Sequence, residues 1–142
     1  MLVQQVSEDA VLLALARLVI DASVRASEDL GGISPVQLRA LTALRQMGEA
    51  NLAQLAEEMG VTVSTTSRLV DRLVTVDWVD RSPSPHNRRE IRLVLTAEGK
   101  RLLRSYDRRR VTVLKKCLRQ VPAERRDDVV RALAELAQVS GG

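Results

Sequence analysis

The sequence predicts a mainly α-helical chain that carries a single small β-hairpin. Three observations carry that prediction. Apolar residues recur at spacings of three and four through six segments, the period of a helix with one buried face. One segment, EIRLVLT at 90–96, switches to a period of two, with Ile91, Leu93 and Leu95 on one side and Arg92 and Val94 on the other. Gly, Pro and short polar residues punctuate the segments where helices begin and end. At 142 residues the chain has the length of one domain, or of one domain with a fused assembly element. A hydrophobic share of 45% with 28% charged residues excludes disordered and low-complexity classes.

The first helix runs from Ser7, its N-cap, to about Glu28, with Glu8 and Asp9 in the first turn, where the helix dipole favours acids. Its stretch AVLLALARLVI is apolar on nearly every side, more than one small neighbour can cover, so the helix is expected to pack on its own domain and on a second chain. A homodimer follows. Gly31 and Gly32 end this helix, and Ser34, Pro35 and Gln37 form a capping box that opens a second helix from about Pro35 to Met47. Asn51 and Gln54 repeat the box ahead of a short helix, LAQLAEEM, which stops at Gly60 in an expected left-handed conformation. Thr62 caps a fourth helix from about Val63 to Thr75, whose Leu69, Val70 and Leu73 face the core. The strand at 90–96 pairs with WVDRS, residues 78–82, across PSPHNRR, a connection too rich in proline and charge to continue either strand. Trp78 is expected to anchor the hairpin on the core, in preference to serving as a ligand platform. Thr96 caps a long basic helix, and Pro122 separates it from a last helix that ends near Val139 and buries Val129, Val130, Leu133 and Leu136.

Composition narrows the function. Trp78 and Tyr106 are the only aromatic residues, which argues against nucleic-acid binding by stacked bases. One Cys, Cys117, and one His, His86, supply neither an intramolecular disulfide nor the usual zinc ligand set, so no metal and no cofactor is expected. There is no phosphate loop, dinucleotide fingerprint or HExxH motif, and the expected protein is not an enzyme. The beginning of the chain lacks a basic leader, and the longest apolar run, Ala10 to Ala16, is too short to span a bilayer. The expected location is the cytoplasm, with no membrane partner. The net charge of +4 permits a polyanionic partner, and the excess is concentrated: residues 100–119 hold nine basic residues and one acid. Arg101, Arg104, Arg108, Lys115 and Arg119 share one face of that helix, while Leu103, Tyr106, Val113 and Cys117 share another. The basic face reads either as solvated surface, paired with acids in an assembly, or as a direct phosphate contact.

Two helices joined by a tight turn at Gly60 and followed by a hairpin with a basic tip make a winged helix-turn-helix. The start of the fourth helix presents Thr62, Ser64, Thr65, Thr66, Ser67 and Arg68, short polar side chains that permit close approach to a major groove. Arg68 adds a forked donor for a guanine edge. The wing offers His86, Asn87, Arg88 and Arg89 for phosphate or minor-groove contact with double-stranded DNA. Each has a plainer reading. Arg68 and Arg72 can pair with Asp71 or neighbouring acids, Arg88 and Arg89 can be ordinary loop charge, and His86 can be a solvated wing residue.

Residues 66–99, TSRLVDRLVTVDWVDRSPSPHNRREIRLVLTAEG, closely resemble the recognition helix and wing of the MarR family of transcriptional regulators. SRLVDRL, a Trp-Val-acid-Arg strand and an Arg-tipped wing before LTxxG occur together and in order, and the likeness extends in outline over the whole chain. The resemblance implies a homodimeric, sequence-specific DNA-binding regulator, most simply a repressor, on a pseudo-palindromic operator. Its recognition helix would enter the major groove and its wing arginine the adjacent minor groove. By position, Ser67, Arg68 and Arg72 match the family's helix motif and Arg89 matches the wing-tip arginine. Asn87 departs from the pattern, because the family usually has Asp there, paired with the wing arginine, and a neutral Asn would orient Arg89 less firmly. The resemblance also implies release by a small aromatic or anionic effector bound between the winged domain and the dimerisation helices; Arg110, which interrupts the apolar stripe of the long helix, reads either as the pocket residue that neutralises such an anion or as one end of an intersubunit salt bridge. Relatives that sense peroxide use a Cys in the first helix; this sequence has none there, and Cys117 on an apolar face is expected to be inert.

The resulting division is an N-terminal dimerisation helix at 1–33, a winged helix-turn-helix at 34–99, and the long and final helices of the dimerisation domain at 100–142. The competing reading is a winged domain used for protein contact, without sequence-specific DNA binding. Such a module needs no wing arginine and tolerates bulky apolar residues where the Ser/Thr cluster stands.

Overall fold

The computed structural model describes residues 6–139. In chain order the elements are α1 (Glu8–Asp29), α2 (Pro35–Met47), α3 (Leu52–Met59), α4 (Val63–Thr75), β1 (Val79–Pro83), β2 (Ile91–Leu95), α5 (Ala97–Leu118) and α6 (Arg126–Val139), with a short 3-10 turn at Ala123–Arg125. Local capping chemistry sets most of these boundaries. Ser34 Oγ accepts from the Gln37 amide at 3.1 Å while Gln37 Oε1 accepts from the Ser34 amide at 3.1 Å, so two orphan donors of α2 are satisfied reciprocally. Asn51 and Gln54 do the same for α3 at 2.8 and 2.9 Å. Gly60 closes α3 at φ 66° and ψ 32°, a conformation a Cβ would penalise.

Two compact units result, one from residues 24–108 and one from the described parts of 1–23 and 109–142. The division falls inside α1 and α5, not at residues 33 and 99, because Ala26 of α1 and Leu103 and Tyr106 of α5 are buried in the core of the first unit. That core joins Leu38, Leu41 and Leu44 of α2 to Leu55 and Met59 of α3, Leu69, Val70 and Leu73 of α4, and Val79, Leu93 and Leu95 of the hairpin. Each fully buried leucine stabilises the unit by about 1.5–3 kcal/mol relative to its exposed state. Two cations brace the outside. Arg39 of α2 donates to the Met59 carbonyl at 2.9 Å, closing the C-terminal end of α3, and Arg45 pairs with Asp107 of α5 at 2.6 Å.

The antiparallel hairpin pairs Val79 with Leu95, Arg81 with Leu93 and Pro83 with Ile91. Its first strand therefore starts one residue later than WVDRS and runs into the proline. Asp77 takes a left-handed φ of 63°, and the Trp78 carbonyl accepts the Thr96 amide at 3.1 Å, so Trp78 turns the chain ahead of the ladder while its ring packs half-buried against the core. A third partner joins at Ala50, whose amide and carbonyl both bond Leu93, at 3.1 and 2.7 Å. A bridge of one residue has no period and left no trace in the pattern. Thr96 locks the far end: its hydroxyl donates to the Asp77 carbonyl at 2.5 Å and accepts the Gly99 amide at 3.0 Å, capping α5.

The second unit departs from expectation in what it covers. No residue of α6 is buried, and Leu133 and Leu136 remain 43% and 48% exposed. In α1, Ala22 is buried while Val11, Leu13 and Ile20 are exposed. Cys117 is exposed too, although Leu103 and Tyr106 on the same face of α5 are buried. Apolar periodicity shows that a face seeks cover; it does not show whether the same chain provides it. Arg126 holds the turn into α6, donating from Nε to the Val121 carbonyl at 2.8 Å and from a terminal nitrogen to the Arg119 carbonyl at 2.9 Å. Among the described residues no helix is long and apolar enough to cross a membrane.

Candidate nucleic-acid interface

The side chains that α4 presents follow from its cap and its buried stripe. Thr62 stands at the N-cap, its hydroxyl accepting the Thr65 amide at 3.2 Å and donating to the Thr65 hydroxyl at 2.9 Å. Leu69, Val70 and Leu73 fix the inner face, so Ser64, Thr65, Arg68 and Arg72 fall outside and are exposed, with Ser67 half-buried at the edge. Thr66 is a correction. It is fully buried, its hydroxyl donates to the Thr62 carbonyl at 2.9 Å, and it belongs to the core side of the helix, where it cannot meet DNA. One position separates Thr65 from Thr66, and a helix rotates about 100° per residue, enough to carry one out and the other in.

The electrostatic question left by the sequence was whether the helix arginines are neutralised by neighbouring acids. Asp71 is already engaged: its carboxylate pairs with Arg81 of β1 at 2.5 Å. Arg68 and Arg72 make no hydrogen bond or ion pair with any described residue. Both line a recess of about 240 Å³ with Val36, Met59, Val61, Thr65 and Leu69, so two guanidiniums stand beside apolar walls. The low polarity of such walls strengthens their attraction for an anion.

The wing holds its cations out in the same way. His86, Asn87, Arg88 and Arg89 are all exposed, and neither arginine side chain has a partner among the described residues. Asn87 does not orient the Arg89 side chain. Its Oδ1 accepts the Arg89 backbone amide at 3.1 Å, an Asx turn that shapes the loop and leaves the guanidinium outward. The His86 amide donates to Ser84 Oγ at 3.3 Å, which also shapes the loop. Arg110 is half-buried on α5 and is engaged by other residues of the chain. Among the described residues no three His, Cys, Asp or Glu side chains gather as a metal ion would require.

Sequence reasoning missed the contacts that hold the wing. Asn51 Nδ2 donates to the Glu90 carboxylate, and Glu49 pairs with Arg92 at 2.9 Å. Residues about 40 positions apart carry no local signal of meeting. Gly99 was visible only as a letter of LTxxG, yet a Cβ there would stand 2.2 Å from the Trp78 carbonyl oxygen.

Comparison with known proteins places this arrangement. Residues 33–91, which include α2 to α4, β1 and the wing, match the MarR family model. The crystal structure of RV1404 from Mycobacterium tuberculosis superposes with a TM-score of 0.85 and 33% identity, covering all of both chains. The chain belongs to the MarR family. Its curated relatives include the transcriptional regulator YfiV of Bacillus subtilis, 30% identical over 75% of this chain and 66% of that protein. The transcriptional repressor MdtR of the same organism is 35% identical over 48% of this chain and 44% of its own length. The chain thus spans only part of the curated relatives it matches. Within this family frame, the matched segment contains every exposed arginine of α4 and of the wing.

Proposed function

We propose that the chain is a dimeric, sequence-specific DNA-binding transcriptional regulator, a repressor, that sets α4 in the major groove and the wing in the adjacent minor groove. One observation carries the reading: Arg68, Arg72, Arg88 and Arg89 stand exposed with no side-chain partner among the described residues, while Asp71 and Glu90, the acids beside them, are held by Arg81 and Asn51. The balanced charge of residues 34–99, eight basic against eight acidic, therefore conceals a basic face. A protein-contact module would have no reason to keep four guanidiniums free at the two places a duplex is touched. The names of YfiV and MdtR support regulation, and repression in the case of MdtR.

Purified protein should bind a fragment from upstream of its own gene much more tightly than an unrelated fragment, with affinity for both falling as salt rises. Equal, weak and equally salt-sensitive binding to both fragments would remove the sequence-specific reading and favour protein contact.

The dimer rests on exposed apolar stripes: Val11, Leu13 and Ile20 in α1, and Leu133 and Leu136 in α6. Apolar surface at helical spacing is stabilised by a second copy, and a twofold dimer explains a pseudo-palindromic operator with half-sites roughly 10 bp apart. Replacing Leu133 and Leu136 together by Glu is expected to shift sedimentation from dimer to monomer at micromolar protein. A persistent dimer would move the interface elsewhere. Release by a small aromatic anion fits the recess beside Arg68 and Arg72 better than Arg110, because that recess has apolar walls, two guanidiniums and direct overlap with the DNA-reading face.

A further inference from the structure

We propose that Asn51 and Glu90 are the positioning residues of the wing, holding its base against the turn between α2 and α3 and so deciding where Arg88 and Arg89 meet DNA. The inference rests on the DNA-binding reading above. Three consecutive residues of that turn grip the hairpin: Glu49 pairs with Arg92 at 2.9 Å, Ala50 exchanges two backbone hydrogen bonds with Leu93, and Asn51 Nδ2 donates to the Glu90 carboxylate. Glu90 is the node of the loop as well, since its amide donates to the Asn87 carbonyl at 3.0 Å and its carbonyl accepts the Ser84 amide at 2.8 Å. A hold on Glu90 is therefore a hold on the whole 84–90 loop.

The residue type at 51 points the same way. An N-cap needs only one side-chain oxygen, and Ser34 and Thr62 supply it for α2 and α4. Asn51 caps α3 with Oδ1, on the Gln54 amide at 2.8 Å, and uses its other end on Glu90. The amide is required only for the second task. Between the turn and the hairpin lies an open recess of about 210 Å³ lined by Glu49, Asn51, Gln54, Ser84, Glu90 and Arg92. Close packing does not fix the wing there, so the polar links do. At the tip Asn87 spends its oxygen on the Arg89 backbone, and no carboxylate steadies the guanidinium. The wing is oriented from its base.

Asn51→Asp keeps the cap, removes the donor and sets a carboxylate against Glu90. The pair Asn51→Asp with Glu90→Gln restores a hydrogen bond with donor and acceptor exchanged. In the free full-length protein, NMR order parameters of the amides in 84–90 are expected to fall in Asn51→Asp and recover in the double variant, while those of α4 stay unchanged. On a fragment from upstream of its own gene, Asn51→Asp is expected to bind about tenfold more weakly and the double variant to recover. In a background carrying Arg88→Ala and Arg89→Ala, Asn51→Asp should add no further loss, because the wing contact is already gone. An ordered wing in Asn51→Asp, no recovery in the double variant, or an undiminished loss in the arginine-less background would each overturn the proposal. If the wild type binds no DNA while the order parameters respond as expected, the DNA-binding reading fails and the hold on the wing stands.

Discussion

Gly99→Ala is expected to lower the free energy of unfolding by about 3 kcal/mol or more. The new Cβ would stand 2.2 Å from the Trp78 carbonyl oxygen and 3.1 Å from its carbonyl carbon, and both are backbone atoms that no rotamer change can move. Either the first turn of α5 lifts or the Trp78 peptide swings away. The same peptide accepts the Thr96 amide, and Thr96 caps α5 through Gly99, so either movement breaks the junction between hairpin and helix. It also draws Leu103 and Tyr106 away from the core they fill. Gly60→Ala is the control: its left-handed φ of 66° is unfavourable for a side chain, but nothing lies within 4 Å of the added Cβ, so the cost should be about 1 kcal/mol. Urea denaturation of the two variants separates steric overlap from backbone conformation, and equal losses would refute the close-approach account.

Arg68→Ala is expected to weaken binding to the preferred DNA site by about 1–3 kcal/mol per half-site, and to relax the base preference at one position in each half. Its guanidinium has no partner among the described residues, so the folded chain should lose little, within about 0.5 kcal/mol. Arg88→Ala should behave differently, weakening all sequences alike and reducing the salt slope by about 1 per wing. Salt-dependent titrations of both variants on the preferred site and on a single-base variant of it separate reading from anchoring. Unchanged affinity of Arg68→Ala for the preferred site would take Arg68 out of the reading role.

The element order was legible because its signals are local. Ser34 with Gln37, Asn51 with Gln54, Thr62 and Thr96 each satisfy amides within three residues, and the structure finds all four caps at the expected helices. Trp78 was legible as an anchor from its size and place, but its exclusion from β1 was not. The left-handed Asp77 and the Thr96 bond that set the strand's start join residues 19 positions apart. The buried stripe expected in α6 proved exposed, since periodicity shows that a face is apolar and not what covers it.

By itself the sequence determined the helices, the hairpin, the helix-turn-helix order and the family, because capping, periodicity and a contiguous motif are written in neighbouring residues. The tertiary structure decided which polar groups are free to act. It buried Thr66 beside exposed Thr65, tied Asp71 to Arg81 so that Arg68 and Arg72 have no ionic partner among the described residues, and joined Asn51 to Glu90 so that the wing is held from below. A side chain's partner is set by the packing of distant segments, and a charge acquires its function from whether that partner exists.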